Sequence, residues 1–201
     1  MMEQLSSEVP APPLLPLAPA DAAPVAEGSH EDARPSVRLR LMRGLAASFP
    51  TFVGNRLRMA LLRAGGLRIG RGTIMWGAPV LIGASNLHEL LSIGEDCGFN
   101  VGCFFEVEAP ITIGNHVGVG HDVMFLTRGY EQGPGAQRAG RVIRAPIVIE
   151  EGAWLGARCT ILPGVTVGAG SVIGAGMVIG KDVPPNTLLM GTQKISLARW
   201  R

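Results

Sequence analysis

From Ile149 onward the apolar positions fall on a beat of six. The segments "IEEGAW", "LGARCT", "ILPGVT", "VGAGSV", "IGAGMV" and "IGKDVP" each open on Ile, Leu or Val, and most place Gly second. Their fifth residue is Ala, Cys, Val, Ser or Met. Earlier, "IGEDCG", "VGCFFE", "VEAPIT", "IGNHVG" and "VGHDVM" keep the same beat less strictly. A period of six is neither the 3.6 of an amphipathic helix nor the 2 of a half-buried strand. It describes a short strand and a turn, repeated, so the repeat decides the architecture. The pattern predicts an all-β solenoid in which each hexad forms one flat face and three hexads close a coil of about 18 residues. The aliphatic first residue and the small fifth residue point inward. Gly and Asn near the corners tolerate the positive φ of tight turns. Hydrogen bonds then run between coils, as parallel strands without helical crossovers, and the two ends of the stack require covers.

The region before the repeat divides in two. Residues 1–35 are rich in Pro and Ala, with six acidic residues and one Arg, and predict a disordered tail. Glu3 and the prolines at 10, 12, 13 and 16 deny the basic start and unbroken apolar core of a secretory signal. Residues 36–72 reverse the charge, with eight arginines and no acid. Within them "NRLRMALLRAGG" places Leu and Met at helical spacing and stops at Gly65-Gly66. A basic amphipathic helical segment over 36–66 is expected. It reads either as a membrane-surface helix or as a packing helix that caps the body behind a solvated basic face, and the second needs only a neighbour to cover its apolar side.

Composition narrows the class without naming a function. The 28 glycines are wrong for a helical bundle and right for many short strands. A net charge of +2 gives no footprint for nucleic acid, and no apolar run approaches the ~20 residues of a membrane span. Cys97, Cys103 and Cys159 lack metal-site spacing and read as buried thiols of a cytoplasmic protein.

The hexads, written [LIV]-G-x-x-[small]-x, resemble those of the hexapeptide-repeat acyltransferases. The resemblance implies a left-handed parallel β-helix over 67–191 and a homotrimer with active sites between subunits. It is nearest to the maltose, galactoside and nodulation-factor O-acetyltransferases and runs from about Leu67 to Asp182. That subfamily transfers an acetyl group from acetyl-CoA, as co-substrate, to a hydroxyl of a sugar or small metabolite, with an Asn and a His working on the acceptor.

Carried onto this chain, the Asn falls on Asn100 in "FNVGCFFE", and Glu108 falls where relatives carry an acid lining the acceptor pocket. Asn100 also reads as a corner residue and Glu108 as a turn charge. The loop T-x-x-H-E-x-G-P corresponds, without a gap from Ile113, to Thr127-Arg128-Gly129-Tyr130-Glu131-Gln132-Gly133-Pro134, so Tyr130 stands at the histidine. No histidine follows His121. A free tyrosine is ~3 pH units too weakly ionised at neutrality to serve as a base, worth ~4 kcal/mol. A nearby cation would recover part of that, and Arg128, Arg138 and Arg141 lie in the loop; Arg128 is also expected to face the acceptor, and Glu131 is the other candidate base. Two readings stay open: acyl transfer with an altered base, or a repurposed scaffold using the cleft for other chemistry or for binding alone. Trp154, Ala157, Ala175, Gly180 and Lys181 match positions along which relatives lay the cofactor, with Lys181 toward a phosphate. Lys194 and Arg199 extend that expectation into residues 192–201, expected to form a short C-terminal tail or helix. The segment 128–146 is expected to leave the coil as an extruded loop.

His116 and His121 prompt a check for zinc, because γ-class carbonic anhydrases share this fold. Those need a second histidine five residues after the first, and position 126 is Leu, so no metal is expected.

Overall fold

In the computed structural model the described residues are 37–191 and the strand backbone at 193–195. The tail read over 1–35 and Arg199 lie outside them, as does the side chain of Lys194. Short strands stack into three parallel sheets that form the faces of a β-helix. The first face holds Arg68–Ile69, Leu91–Ile93, Ile111–Ile113, Ile147–Ile149 and Thr166–Val167. The second holds Ile74–Met75, Gly98–Phe99, Gly118–Val119, Trp154–Leu155, Val172–Ile173 and Leu188–Met190. The third holds Val80–Gly83, Phe104–Val107, Met124–Leu126, Thr160–Ile161 and Val178–Ile179.

Register follows the hexads. Val148 pairs with Thr166 and Trp154 with Val172, a step of 18 residues in each case. First-position residues Ile149, Leu155, Ile161, Val167 and Ile173 are buried, and so are fifth-position Ala153, Cys159, Val165 and Ser171. Earlier coils are longer: Ser92 lies over Arg68 after 24 residues, because the short helix Leu87–Leu90 is inserted at a corner. Where the repeat is loosest the core turns aromatic. Phe105 stacks on Phe125 at 4.7 Å between centroids, and Phe99 tilts against Phe105 at 6.1 Å.

Corner turns take positive φ at Asp96, His116, Asp122 and Arg158 as well as at glycines. Short polar side chains tolerate that region; Arg158 and His116 enter it because the coil fixes the turn around them. At the Gly102 corner, with φ +80, a Cβ would overlap Asp122 Oδ1 of the next coil, so a side chain there would have to displace that carboxylate.

Two helices rather than one precede the coils: α1 (Val37–Ala47) and α2 (Asn55–Ala64), the latter ending at Gly65. Leu39, Met59 and Leu62 bury against the first coil and cover that end of the core. The expected solvated basic face is contradicted at one position, because Arg58 is fully buried. Its guanidinium donates to Asn55 Oδ1 (2.8 Å) and to the carbonyls of Met75 (3.0 Å), Phe49 (3.0 Å) and Pro50 (2.9 Å), with longer contacts to Ala46 and Val53. Within the turn Pro50 O accepts from Val53 N–H (3.1 Å) and Gly54 O from Arg58 N–H (2.8 Å), and the five-donor fork of Arg58 supplies further donors to the carbonyls around it. Beyond Gly191 the chain pairs back antiparallel, Gln193–Ile195 on Leu188–Met190, where a tail or helix was expected. No helix among the described residues is long and apolar enough to cross a membrane.

Candidate functional site

The extruded segment is a β-hairpin. Arg128–Gln132 pairs antiparallel with Ala139–Arg144, with a bulge at Glu131. Its turn is closed by Gly133 N–H to Arg138 O (3.0 Å) and Gln137 N–H to Pro134 O (2.9 Å). The hairpin springs from the corner between the third and first faces, and Thr127 fastens its root. Thr127 is fully buried; its hydroxyl donates to Glu106 O (2.6 Å) and accepts from the N–H groups of Glu108 (2.9 Å) and Ala109 (3.1 Å). The loop's threonine thus locks the hairpin to the preceding coil.

Alternation along the hairpin sorts its side chains. Arg128 and Tyr130 share one side with Val142 and Arg144 of the partner strand. Glu131 and Arg141 belong to the other, paired at 2.6 Å. The backbone at Gly129 on that second side faces Ile143 and Pro163 of the next coil. The Tyr130 side therefore looks back toward Glu106 and Glu108.

Glu108 organises that side. Arg144 Nε donates to its Oε2 at 2.7 Å and Arg128 Nη1 to its Oε1 at 3.3 Å, with all three side chains largely buried. Arg128 Nη2 donates to the Tyr130 phenol oxygen at 2.9 Å, and its guanidinium carbon lies 5.3 Å from the Tyr130 ring centroid. One arginine thus holds both the acid and the phenol. Tyr130 remains half exposed at 48%. Its oxygen accepts from Arg128, and its O–H is free to act as a donor.

Glu106 is part of the same cluster, and sequence reasoning missed it. It projects from the outer side of the third face, where Ile82 and Leu126 flank it on adjacent strands. The backbone N–H of Arg128 lies against its carboxylate. Burial, then the neighbouring Glu108, push its carboxyl above the ordinary glutamate range, and Arg128 offsets only part of this. The signal was the pair of acids two apart in "FEVE", which a strand puts on one side. Glu131 behaves oppositely: the hydrogen bonds from Arg141 hold its carboxylate below the ordinary range, which weakens it as a base.

Asn100 does not join this cluster within one chain. It sits at the corner between the second and third faces, with its backbone N–H on Val119 O and its carbonyl accepting Cys103 Sγ. The strand Phe104–Val107 separates the two corners by roughly 13 Å. The positions matched to the cofactor also spread. Exposed Trp154 lies on the second face over Gly118, where a side chain would crowd the indole. Ala157 stacks under Gly120 at the Asn100 corner, with Ala175 below Gly156 on the same edge. Gly180 and exposed Lys181 lie at the hairpin corner, where Gly180 leaves room for Leu162.

His116 and His121 occupy different corners, before the second and third faces respectively. Among the described residues no group of three His, Cys, Asp or Glu side chains is placed to hold a metal ion.

Comparison with known proteins agrees with the coil. The family described as "Hexapeptide repeat of succinyl-transferase" matches residues 146–181. The chain is 36% identical over 110 residues to the galactoside O-acetyltransferase of Lactococcus lactis, covering 55% of this chain and 51% of that one. It is 37% identical over 102 residues to nodulation protein L of Rhizobium meliloti, covering 51% and 56%. The chain thus spans about half the length of the curated relatives it matches. A hexapeptide-repeat acetyltransferase from Vibrio cholerae, solved with acetyl coenzyme A, superposes with a TM-score of 0.67 at 29% identity over 86% of this chain and 89% of that one. In its repeat, its stacked faces and these likenesses the chain is similar to the hexapeptide-repeat acetyltransferases.

Proposed function

We propose that the protein is a CoA-dependent O-acyltransferase that moves an acetyl group from acetyl-CoA to a hydroxyl of a sugar or small metabolite, using a base other than histidine. The observation that carries this reading is the acceptor-side cluster: Tyr130, at the family's histidine position, is held by Arg128, which is in turn held by Glu108. Tyr130 and Glu108 orient the acceptor hydroxyl, and Asn100 holds it from the other side. Such orientation alone lowers a barrier by as much as ~7–11 kcal/mol.

The working unit is a homotrimer, because Asn100 and Tyr130 stand at opposite ends of one face and a neighbouring copy brings them together. The outer side of the third face supports this. Val80, Ile82, Met124 and Val178 are 36–59% exposed there, whereas the first face turns out Arg68, Ser92, Thr112 and Thr166. The cofactor arm runs along the edge carrying Trp154, Ala157 and Ala175 and ends at Gly180, with Lys181 meeting a phosphate. The three buried free thiols suit a reducing, cytoplasmic setting.

The departure from histidine favours a second reading, a scaffold that binds in the same cleft without acetylating. Thiol release from acetyl-CoA with a panel of hydroxyl acceptors separates the two. Turnover that Asn100→Ala abolishes supports transfer. Acetyl-CoA binding with no thiol release from any acceptor supports the scaffold.

A further inference from the structure

The Tyr130 phenol is a poor candidate for the proton-accepting role, since a free phenol is almost wholly un-ionised at neutrality and Arg128 already donates to its oxygen. Glu131 is turned to the far side of the hairpin and clasped by Arg141. Glu108 has both carboxylate oxygens on arginines. One carboxylate on the Tyr130 side carries no arginine side chain in the hydrogen bonds seen here. We infer that Glu106 is the general base of this site, taking the proton of the acceptor hydroxyl while Tyr130 donates to that same oxygen and fixes its orientation. The inference rests on the acyl-transfer reading and names the group that replaces histidine in it.

The surroundings fit that task. Glu106 emerges on the apolar outer side of the third face, between Ile82 and Leu126, at the rim where the hairpin begins. The charged groups facing it are Glu108 on its own chain segment and Arg128 on the hairpin, with Tyr130 and Arg144 one contact further out. The adjacent strands contribute only apolar side chains at its level, Ile82 and Leu126. A carboxyl beside apolar walls and a second carboxylate is a stronger base than a solvated one, and two acids held in contrasting surroundings divide the binding and proton-transfer roles. In the step, the acceptor O–H breaks and its proton passes to a Glu106 oxygen as the acceptor oxygen bonds the acyl carbon. The C–S bond then breaks, and the departing thiolate takes that proton to leave as free CoA thiol. The carboxylate is restored with no other reactant.

The test is the pH profile of turnover for wild type, Glu106→Gln, Glu106→Asp and Tyr130→Phe, beside an acetyl-CoA thermal shift for each. We expect Glu106→Gln to lose about 10²–10⁴-fold in kcat with an unchanged acetyl-CoA shift, and to lose the acid limb of the profile. Glu106→Asp restores part of the rate and keeps that limb, and Tyr130→Phe keeps the limb at reduced rate. A Glu106→Gln enzyme within threefold of wild type, or one retaining the acid limb, overturns the inference. So does loss of the acetyl-CoA shift in Glu106→Gln, which would make the residue structural. Absence of turnover in the wild type would sink the acyl-transfer reading itself. A carbon-13 titration of the glutamate carboxyls, with Glu106→Gln assigning the resonance, then decides the base separately: titration above the ordinary glutamate range is required, and titration within or below it overturns the inference.

Discussion

Replacing Arg58 tests how the helical cap is attached. The side chain is fully buried, and its guanidinium meets six acceptors at 2.8–3.3 Å, five of them backbone carbonyls of α1, the interhelical turn and the first coil. No carboxylate is among these acceptors, so the cation is balanced by carbonyl dipoles alone. A hydrogen bond to a charged group is worth ~1.5–3 kcal/mol, but burying the cation costs several kcal/mol in return. The net worth of the hub is therefore small, whereas the cost of truncation is large, because the carbonyls lose their donor and a cavity remains. Arg58→Ala is expected to cost about 4 kcal/mol, since several buried carbonyls lose their donor at ~1–3 kcal/mol each and a cavity remains. Arg58→Lys keeps the charge with three donors in place of five and recovers less than half of the loss. Solenoid energetics are local, so the damage stays at the cap. Urea titration followed by hydrogen exchange measures it: amides of Val37–Ala47 and Asn55–Ala64 exchange faster, while those of Ile147–Ile179 hold their protection. A loss below 1 kcal/mol, or uniform loosening of all coils, would mean that Arg58 does not anchor the cap.

Other expectations are as direct. Thr127→Val removes the acceptor for two buried N–H groups and is expected to cost ~2–3 kcal/mol, read by thermal melting, with a fall in kcat as the hairpin root loosens. Cys103, whose thiol is pushed up to about 12 mainly by burial, is expected to resist a thiol reagent in the native protein at pH 8 and to react on unfolding. Glu106→Gln separates stability from rate. A carboxyl raised by folding stabilises only while protonated, and that contribution is lost as pH rises through its folded value. The variant is therefore expected to melt at or above wild type at pH 8, with the difference closing toward pH 4. Trp154→Ala, on an exposed site with little packing to lose, is expected to weaken acetyl-CoA binding in a calorimetric titration while leaving the melting temperature of the free protein unchanged.

The coil was readable from the sequence because a six-residue period has few physical solutions, and the buried first and fifth positions of each hexad follow from it. The break in that period marks where the chain leaves the coil, but the pairing of the hairpin was hidden. Register between Arg128–Gln132 and Ala139–Arg144 depends on a bulge at Glu131 that no local propensity marks. Arg58 was hidden for a different reason. Its helix has the same Arg–Leu texture on every turn, and only the placement of the interhelical carbonyls makes one arginine a core residue. Glu106 was overlooked because the resemblance drew the eye to Glu108, two residues on. What sets it apart is its surroundings: both Glu108 oxygens take arginine side chains, whereas Glu106 meets the Arg128 backbone N–H between Ile82 and Leu126.

The measurement closest to the central claim is a crystal structure of the protein soaked with acetyl-CoA. A trimer is expected in which the thioester lies in a cleft between copies, with Tyr130 and Glu106 of one chain and Asn100 of the next around the acyl carbon. A thioester bound elsewhere, or no acetyl-CoA at saturating concentration, would contradict that claim.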